Sequence, residues 1–504
     1  MSVPHEFVTG EVAHAADLNE DFDAAVAAQN AVGATADLSG ISIFLGTKYG
    51  MSGASGASSN TDGFNAAATA AVAGGRILIP LATYQINPLN ELVDGVDIES
   101  PSRLTELVVN ANGNLFFVAG DGGNGMGIGI RNLTIKYMGG VSGYPLYATN
   151  CQNMVGERLF FNSCAAAFFD DHALQCGVKD STLDAFNVNN LIWNVLSGSQ
   201  CFLRNNVMRC AGGANNNNKA AQIQSVSTLY IEDNHFSHMD YGFEFLKSWN
   251  DVFISRNHMN PRKWSVMFNP PTGAANQNAI FTDNIHVLSA SAVTTFPGGT
   301  IGTGAFANSS TDGVSLNNET YINWTRDGLL IAGCHLVKVN KGRYSANGQG
   351  GGDYAGIRVT GGDVVEIEGA NCRGDYEGFS TRQPWGMIVD LGSNTTILRV
   401  KNVDLTNNAL GPLKVVGTPT TIWFKDCPGL TDQHKVLNGG VIPLTATTAA
   451  SLGYYGTSYI SFWGATSYTL NGVTKLITQG ILKLDPYDQI SFAGSPSGDW
   501  IGND

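Results

Sequence analysis

Charged residues are scarce in this chain. Asp, Glu, Lys and Arg make up 14% of its 504 residues, against 61 glycines and 43% hydrophobic residues. A disordered chain is charged and apolar-poor, so disorder is excluded, and the balance is that of a β-rich, turn-rich protein. Basic residues are scarcest of all, and the net charge is -14. That excludes nucleic acid or an anionic membrane as a general partner, while leaving room for a local basic groove. No apolar run approaches the roughly 20 residues of a membrane span. No basic stretch followed by an apolar one opens the chain, so no secretory signal is expected. The eight cysteines, at 151, 164, 176, 201, 210, 334, 372 and 427, form no Cys-x-x-Cys pair. Zinc and disulfide frameworks are therefore set aside in favour of reduced, buried thiols. Gly-x-Ser-x-Gly, His-Glu-x-x-His and the phosphate-binding loop are all missing. The run Gly348 to Gly352 has no Lys-Ser/Thr behind it and reads as a loop.

The chain does contain an irregular echo. A short apolar run ends in a polar residue, usually with Asn or Asp, and the pattern recurs at Asn132, Asn162, Asp180, Asn205, Asn234, Asn257 and Asn284. The gaps are 30, 18, 25, 29, 23 and 27 residues. A loose period near 25 with alternating strand character predicts a β-solenoid whose coils carry loops of different length. A recurring buried Asn would form a side-chain ladder along such a stack. Further strand pairs, such as Gly356 to Val359 with Val364 to Ile367, extend the pattern to about 430.

Three regions follow. Residues 1–40 contain an amphipathic Ala-rich stretch, Ala13 to Gln29, with Leu18, Phe22 and Val26 on one face. Residues 41–430 are the solenoid, with a helical cap near 62–73 that starts at Thr61 or Asp62 and stops at Gly74-Gly75. Residues 431–504 are rich in aromatics and Gly, Thr and Ser, and read as a small β-domain for trimer closure or carbohydrate contact. Shielding of the solenoid's open end is the plainer alternative.

The order Asp62, Ala-rich helix, Gly74-Gly75, apolar strand Arg76 to Ile79, Pro80, short turn and Tyr84 resembles the opening of pectate-lyase-like right-handed β-helix proteins, with Ala82 where a Gly is usual. Gly10-Glu11-Val12 and Asp17-Leu18-Asn19 are similar to the opening of bacteriophage tail proteins. Together the chain resembles a phage tailspike or tail-fibre depolymerase. The resemblance implies an all-β, right-handed parallel β-helix assembled as a homotrimer. It also implies attachment to a phage tail or baseplate protein through the N-terminus. The expected activity is cleavage of a bacterial surface polysaccharide outside the host cell.

Hydrolysis of a polysaccharide needs two carboxyl groups. Phe168-Phe169-Asp170-Asp171-His172 supplies adjacent aspartates on apolar support, and His238-Met239-Asp240-Tyr241-Gly242-Phe243-Glu244-Phe245 supplies a second set. With Phe243 and Phe245 inward, Glu244 points out. The expected catalytic residues are Asp170 or Asp171 with Glu244, and Asp240 next; a solvated surface pair is the plain alternative. A separation of roughly 5–5.5 Å predicts retention and roughly 6.5–9.5 Å inversion. His172, Trp193, Tyr241, Trp249, His258, Arg262, Lys263 and Trp264 are the expected substrate contacts, since aromatic faces stack on sugars and cations hold acidic ones. A lyase would instead pair such a base with Tyr or His to remove a proton beside a sugar carboxylate. A third cluster, Asp353-Tyr354 with Asp375-Tyr376-Glu377 and Arg382, lies on later coils. A non-catalytic receptor-binding fibre is the remaining alternative. No cofactor and no metal site is assigned.

Overall fold

A computed structural model describes the backbone of residues 43–45 and then residues 49–430, apart from 72–74, 93–94, 120–124, 140, 163, 165–166, 186–190, 211–217, 247–248, 269–277, 289–296, 302–312, 376–381, 393–395 and 418–420; beyond 430 it describes only the backbone of short strands. The expected N-terminal helix, within residues 1–40, lies outside the described residues. The chain is a right-handed parallel β-solenoid with one short helix among the described residues. It divides into two units, Met1–Asn218 and Lys219–Asp504.

In the first unit the helix spans Ala57–Ala70 and starts at Gly56, about a turn and a half before the expected cap. Thr61 lies inside it, its hydroxyl donating back to the Ala57 carbonyl at 2.7 Å, so the residue expected to start the helix serves its interior. The coils that follow have three faces. The first carries Phe116–Ala119, Leu146–Thr149, Phe168–Asp171 and Leu191–Ser199, and the second carries Gly125–Arg131, Cys151–Glu157, Gly177–Lys179 and Cys201–Arg204. The third carries Thr134–Tyr137, Phe160–Asn162, Thr182–Ala185 and Val207–Cys210.

The second unit repeats this plan. Its first face runs from the start of Lys219–Glu232 through Tyr241–Phe245, Trp264–Phe268, Gly299–Ile301, Leu329–Ile331, Ala355–Val359 and Trp385–Gly392 to Gly411–Gly417. The second face runs from Trp249–Ser255 to Thr421–Lys425. The third is made of three-residue strands such as His258–Asn260 and Ile285–Val287. Three residues are too few to show alternation, which is why only two strands per coil were expected. After Lys425 the pairing changes to antiparallel, first between His434–Leu437 and Gly440–Pro443.

Two stacked features make the coil. At the turn between the second and third faces one residue per coil takes the left-handed conformation. Asn132, Arg158, Asp180 and Asn205 do so in the first unit, and Asp233, Arg256, Asp283, Asn318, Lys341 and Asn402 in the second, with φ between 51° and 60°. The next residue points inward. In the second unit this places Asn234, Asn257 and Asn284 in a buried column. The side-chain amide of Asn234 donates to Asn257 Oδ1 at 2.9 Å, and that of Asn257 to Asn284 Oδ1 at 2.9 Å. Asn284 ends on Glu319 Oε1 at 2.9 Å, and Glu319 Oε2 meets His286 Nε2 at 2.8 Å. The echo thus marks two adjacent positions, except at Asn162, which ends the third-face strand Phe160–Asn162. Asn234, Asn257 and Asn284 form the ladder, whereas half-buried Asn132 and exposed Asn205 supply the left-handed turn.

Candidate functional site

Asp170 was expected on the outer surface of the first unit, and it is inside. It is 0% exposed, with Oδ2 accepting from Trp193 Nε1 at 2.7 Å and Oδ1 without a partner. Burial raises its pKa to about 8, against a smaller opposing effect of the Trp193 hydrogen bond. The outward residue is its neighbour Phe169, stacked on Tyr147 at 4.4 Å and nearly parallel. A polymer lying on the outside cannot meet Asp170. Asp171 does face out, with Oδ1 2.9 Å from His172 Nδ1 and accepting from Ser197 Oγ at 2.8 Å. His172 is exposed at a left-handed turn residue, φ 51°. Trp193 is wholly buried, which removes it from the substrate contacts.

In the second unit Glu244 does lie on the outer surface of the first face, between inward Phe243 and Phe245. Its Oε2 accepts from Lys219 Nζ at 2.6 Å and Gln222 Nε2 at 2.8 Å. Beside it the strand begins at half-buried Tyr241, whose hydroxyl accepts from Lys263 Nζ at 3.0 Å. The same ammonium lies 4.5 Å from the Tyr241 ring centroid and 3.6 Å from Asp240 Oδ2, while Arg262 Nη1 is 4.0 Å from Asp240 Oδ1. Asp240 is 1% exposed, so it anchors the two cations more than it faces solvent. The strand reaches its neighbour because position 242 is glycine. A Cβ there would come within 1.8 Å of the Ser265 carbonyl oxygen.

The structure gathers Tyr241, Arg262 and Lys263 around Asp240, while Glu244, three residues along the Tyr241 strand, is held by Lys219 and Gln222; the other expected contacts lie elsewhere. Trp264 is buried beneath Tyr241, ring centroids 4.9 Å apart, and Trp249 is buried against Phe245 at 5.7 Å. Neither offers a face to a sugar. His258 is exposed but lies on the third face, edge-on to His235 at 4.7 Å. Partial burial, and then His235 and His286, hold its pKa below the usual histidine value. The third cluster is divided. Asp353 gathers with Trp385 and Lys414 on the first face, whereas Asp375 pairs with Arg373 at 2.8 Å. Tyr376 and Glu377 lie outside the described residues, and Arg382 is exposed. Asp327, Arg358 and Lys414 had no sequence signal, because charged residues that meet across stacked coils are separated in sequence by loops of unequal length. Among the described residues no group of three or more His, Cys, Asp or Glu could hold a metal ion.

No protein-family model matches this sequence, and no curated protein matches it. Solved structures do share the architecture. Tailspike protein 3 of bacteriophage CBA120 aligns over 87% of this chain and 70% of its own, with a TM-score of 0.53 and 14% identity. The Dettilon tailspike protein aligns over 90% and 79%, with a TM-score of 0.45 and 11% identity. The A-module of a mannuronan C-5 epimerase from Azotobacter vinelandii aligns over 76% and 98%, with a TM-score of 0.44 and 10% identity. At these identities the likeness is one of fold.

Proposed function

We propose that this protein is a phage tailspike that binds and depolymerises a bacterial surface polysaccharide, be it capsule, exopolysaccharide or O-antigen, on the outer flank of the second unit's first face. The observation that carries the reading is the Lys263–Tyr241 hydrogen bond at 3.0 Å, with Lys263 and Arg262 both held at Asp240 beside it. The tailspike role is supported by the fold shared with the CBA120 protein. The reading includes a homotrimer, attachment to a tail or baseplate protein through the N-terminus, and action at the host surface.

The cluster suits β-elimination on a uronic-acid residue. Arg262 and Lys219 would neutralise the sugar carboxylate and so favour loss of the adjacent proton. One member of the Lys263–Tyr241 pair takes that proton as the C–H bond breaks and a C=C bond forms. The glycosidic C–O bond breaks on the other side, and the leaving oxygen receives a proton from the second member. Hydrolysis is the second reading, favoured by Glu244 on the outer surface with Asp240 four residues before it. Asp240 is largely covered, and hydrolysis needs both carboxyls at the scissile bond.

Incubation with purified polysaccharide from candidate host strains tests the reading. Chain shortening with new absorbance in the near ultraviolet supports elimination, and shortening without it supports hydrolysis. If no strain's polysaccharide changes in size, cleavage is refuted and a receptor-binding fibre remains.

A further inference from the structure

The first face of the second unit carries another charged and aromatic cluster, five strands along from Tyr241. Counting through Trp264–Phe268, Gly299–Ile301, Leu329–Ile331 and Ala355–Val359 to Trp385–Gly392 places it about 24 Å away at the usual strand spacing. Half-buried Trp385 donates its Nε1 hydrogen to Asp353 Oδ1 at 3.2 Å, and Lys414 Nζ lies 6.0 Å from a Trp385 ring centroid while pairing with Asp353. Lys414 therefore holds the Asp353 carboxyl below its usual pKa, with the Trp385 hydrogen bond adding to this. Next to it the guanidinium of Arg326 lies over Tyr354, 5.5 Å from the ring centroid. Arg326 has no carboxylate partner among the described residues.

The cluster is held from below. Arg358 bridges Asp327 Oδ2 at 2.9 Å and the Asp353 carbonyl, and Asp327 Oδ1 accepts from the Ala355 amide at 2.7 Å. Position 411 is glycine where the chain passes Trp385: a Cβ there would come within 2.7 Å of the indole ring. The indole is thereby fixed across the neighbouring coil with one edge tied to Asp353. An aromatic fixed in this way, with Lys414 beside it and Arg326 over the adjacent Tyr354, matches a sugar ring that carries a carboxylate.

We propose that Trp385, Tyr354, Arg326 and Lys414 form a second, non-catalytic saccharide site that grips an acidic sugar of the same polymer whose cleavage is assigned to the Tyr241 cluster. The inference rests on that assignment and adds a distance to it. A chain long enough to span about 24 Å engages both sites, and a short oligosaccharide engages one.

The test is kinetic, on the full-length protein, with a cleavable host polysaccharide and with the shortest oligosaccharide of it that is still cut. For Trp385→Ala and, separately, Arg326→Gln, the KM for the polymer is expected to rise about tenfold with kcat unchanged, as for loss of uniform binding, and both constants for the oligosaccharide to stay put. Arg326→Gln removes one half-buried charge and guards against a folding defect in the tryptophan variant; thermal midpoints of both are compared with the parent. Carboxyl-reduced polymer should bind the parent and the Arg326→Gln variant alike. An unchanged polymer KM in both variants overturns the second site, as does a fall in kcat, or an equal loss on polymer and oligosaccharide. If the parent cuts no polysaccharide, the underlying reading fails, and direct binding still decides the second site: Trp385→Ala and Arg326→Gln should each weaken binding of native polymer, and binding equal to the parent's in both overturns it.

Discussion

An aspartic acid sealed inside a solenoid lowers stability at neutral pH, and Asp170 is such a residue. Its folded pKa, raised to about 8 by burial, lies well above the ordinary value of about 3.9. Below about pH 4 both folded and unfolded forms hold the proton and there is no penalty. Between that value and about 8 the unfolded form has lost it, so stability falls as pH rises, by about 1.4 kcal/mol per pH unit from this one group. Asp170→Asn keeps an acceptor for Trp193 and loses the titration. It should match the parent near pH 4 and exceed it in thermal midpoint above pH 8; identical pH profiles would contradict the buried placement. The sequence could not reveal this orientation, because Phe168 and Phe169 put apolar residues at both parities and Phe169 is the one stacked outside on Tyr147. Glu244 was legible because Phe243 and Phe245 flank it at a single parity. At the site itself, Tyr241→Phe removes one oxygen and keeps the ring against Trp264. The expected loss is at least about a hundredfold in cleavage rate with polymer binding retained; full activity in this variant would remove Tyr241 from the chemistry.

At the scale of the coil, stability depends on which of two adjacent positions an Asn occupies. Asn257 sits in the buried ladder, accepting from Asn234 and donating to Asn284 and the Ile231 carbonyl. Asn257→Ala strands these partners and should cost about 1–3 kcal/mol for each group left unsatisfied. Asn205 is exposed at φ 51°, so Asn205→Ala should cost only about 1 kcal/mol, and Asn205→Gly less. Chemical denaturation of the three variants checks the ranking, and an Asn205→Ala loss as large as that of Asn257→Ala would refute the division between turn and ladder. The spacing of the echo was enough to recognise the solenoid. It could not separate the ladder from the turn, since a polar residue suits both. Gly242 belongs to the same scale: the strand carrying Tyr241 and Glu244 packs on the next coil only without a side chain there. Gly242→Ala is therefore expected to lower the thermal midpoint and cleavage together.

For the whole molecule, a parallel solenoid offers a long flank built from many short strands, and each face repeats at the strand spacing. That geometry suits a polymer held at several points along its length, which is how the Tyr241 and Trp385 clusters are assigned to one chain. The fold class was legible because coil periodicity survives loop insertions. The clusters were legible only in part: Arg262-Lys263-Trp264 is contiguous in sequence, whereas Asp353, Trp385 and Lys414 are brought together by stacking alone. Analytical ultracentrifugation should show a species of three chains, and a monomer at micromolar concentration would contradict the proposed trimer. The most direct test of the central claim is the mass of oligosaccharides released from a host strain's surface polysaccharide. The account predicts discrete products at multiples of the repeat unit, each lighter by one water than the hydrolysis product and absorbing in the near ultraviolet. Polysaccharide left at its original size across the host panel would contradict it.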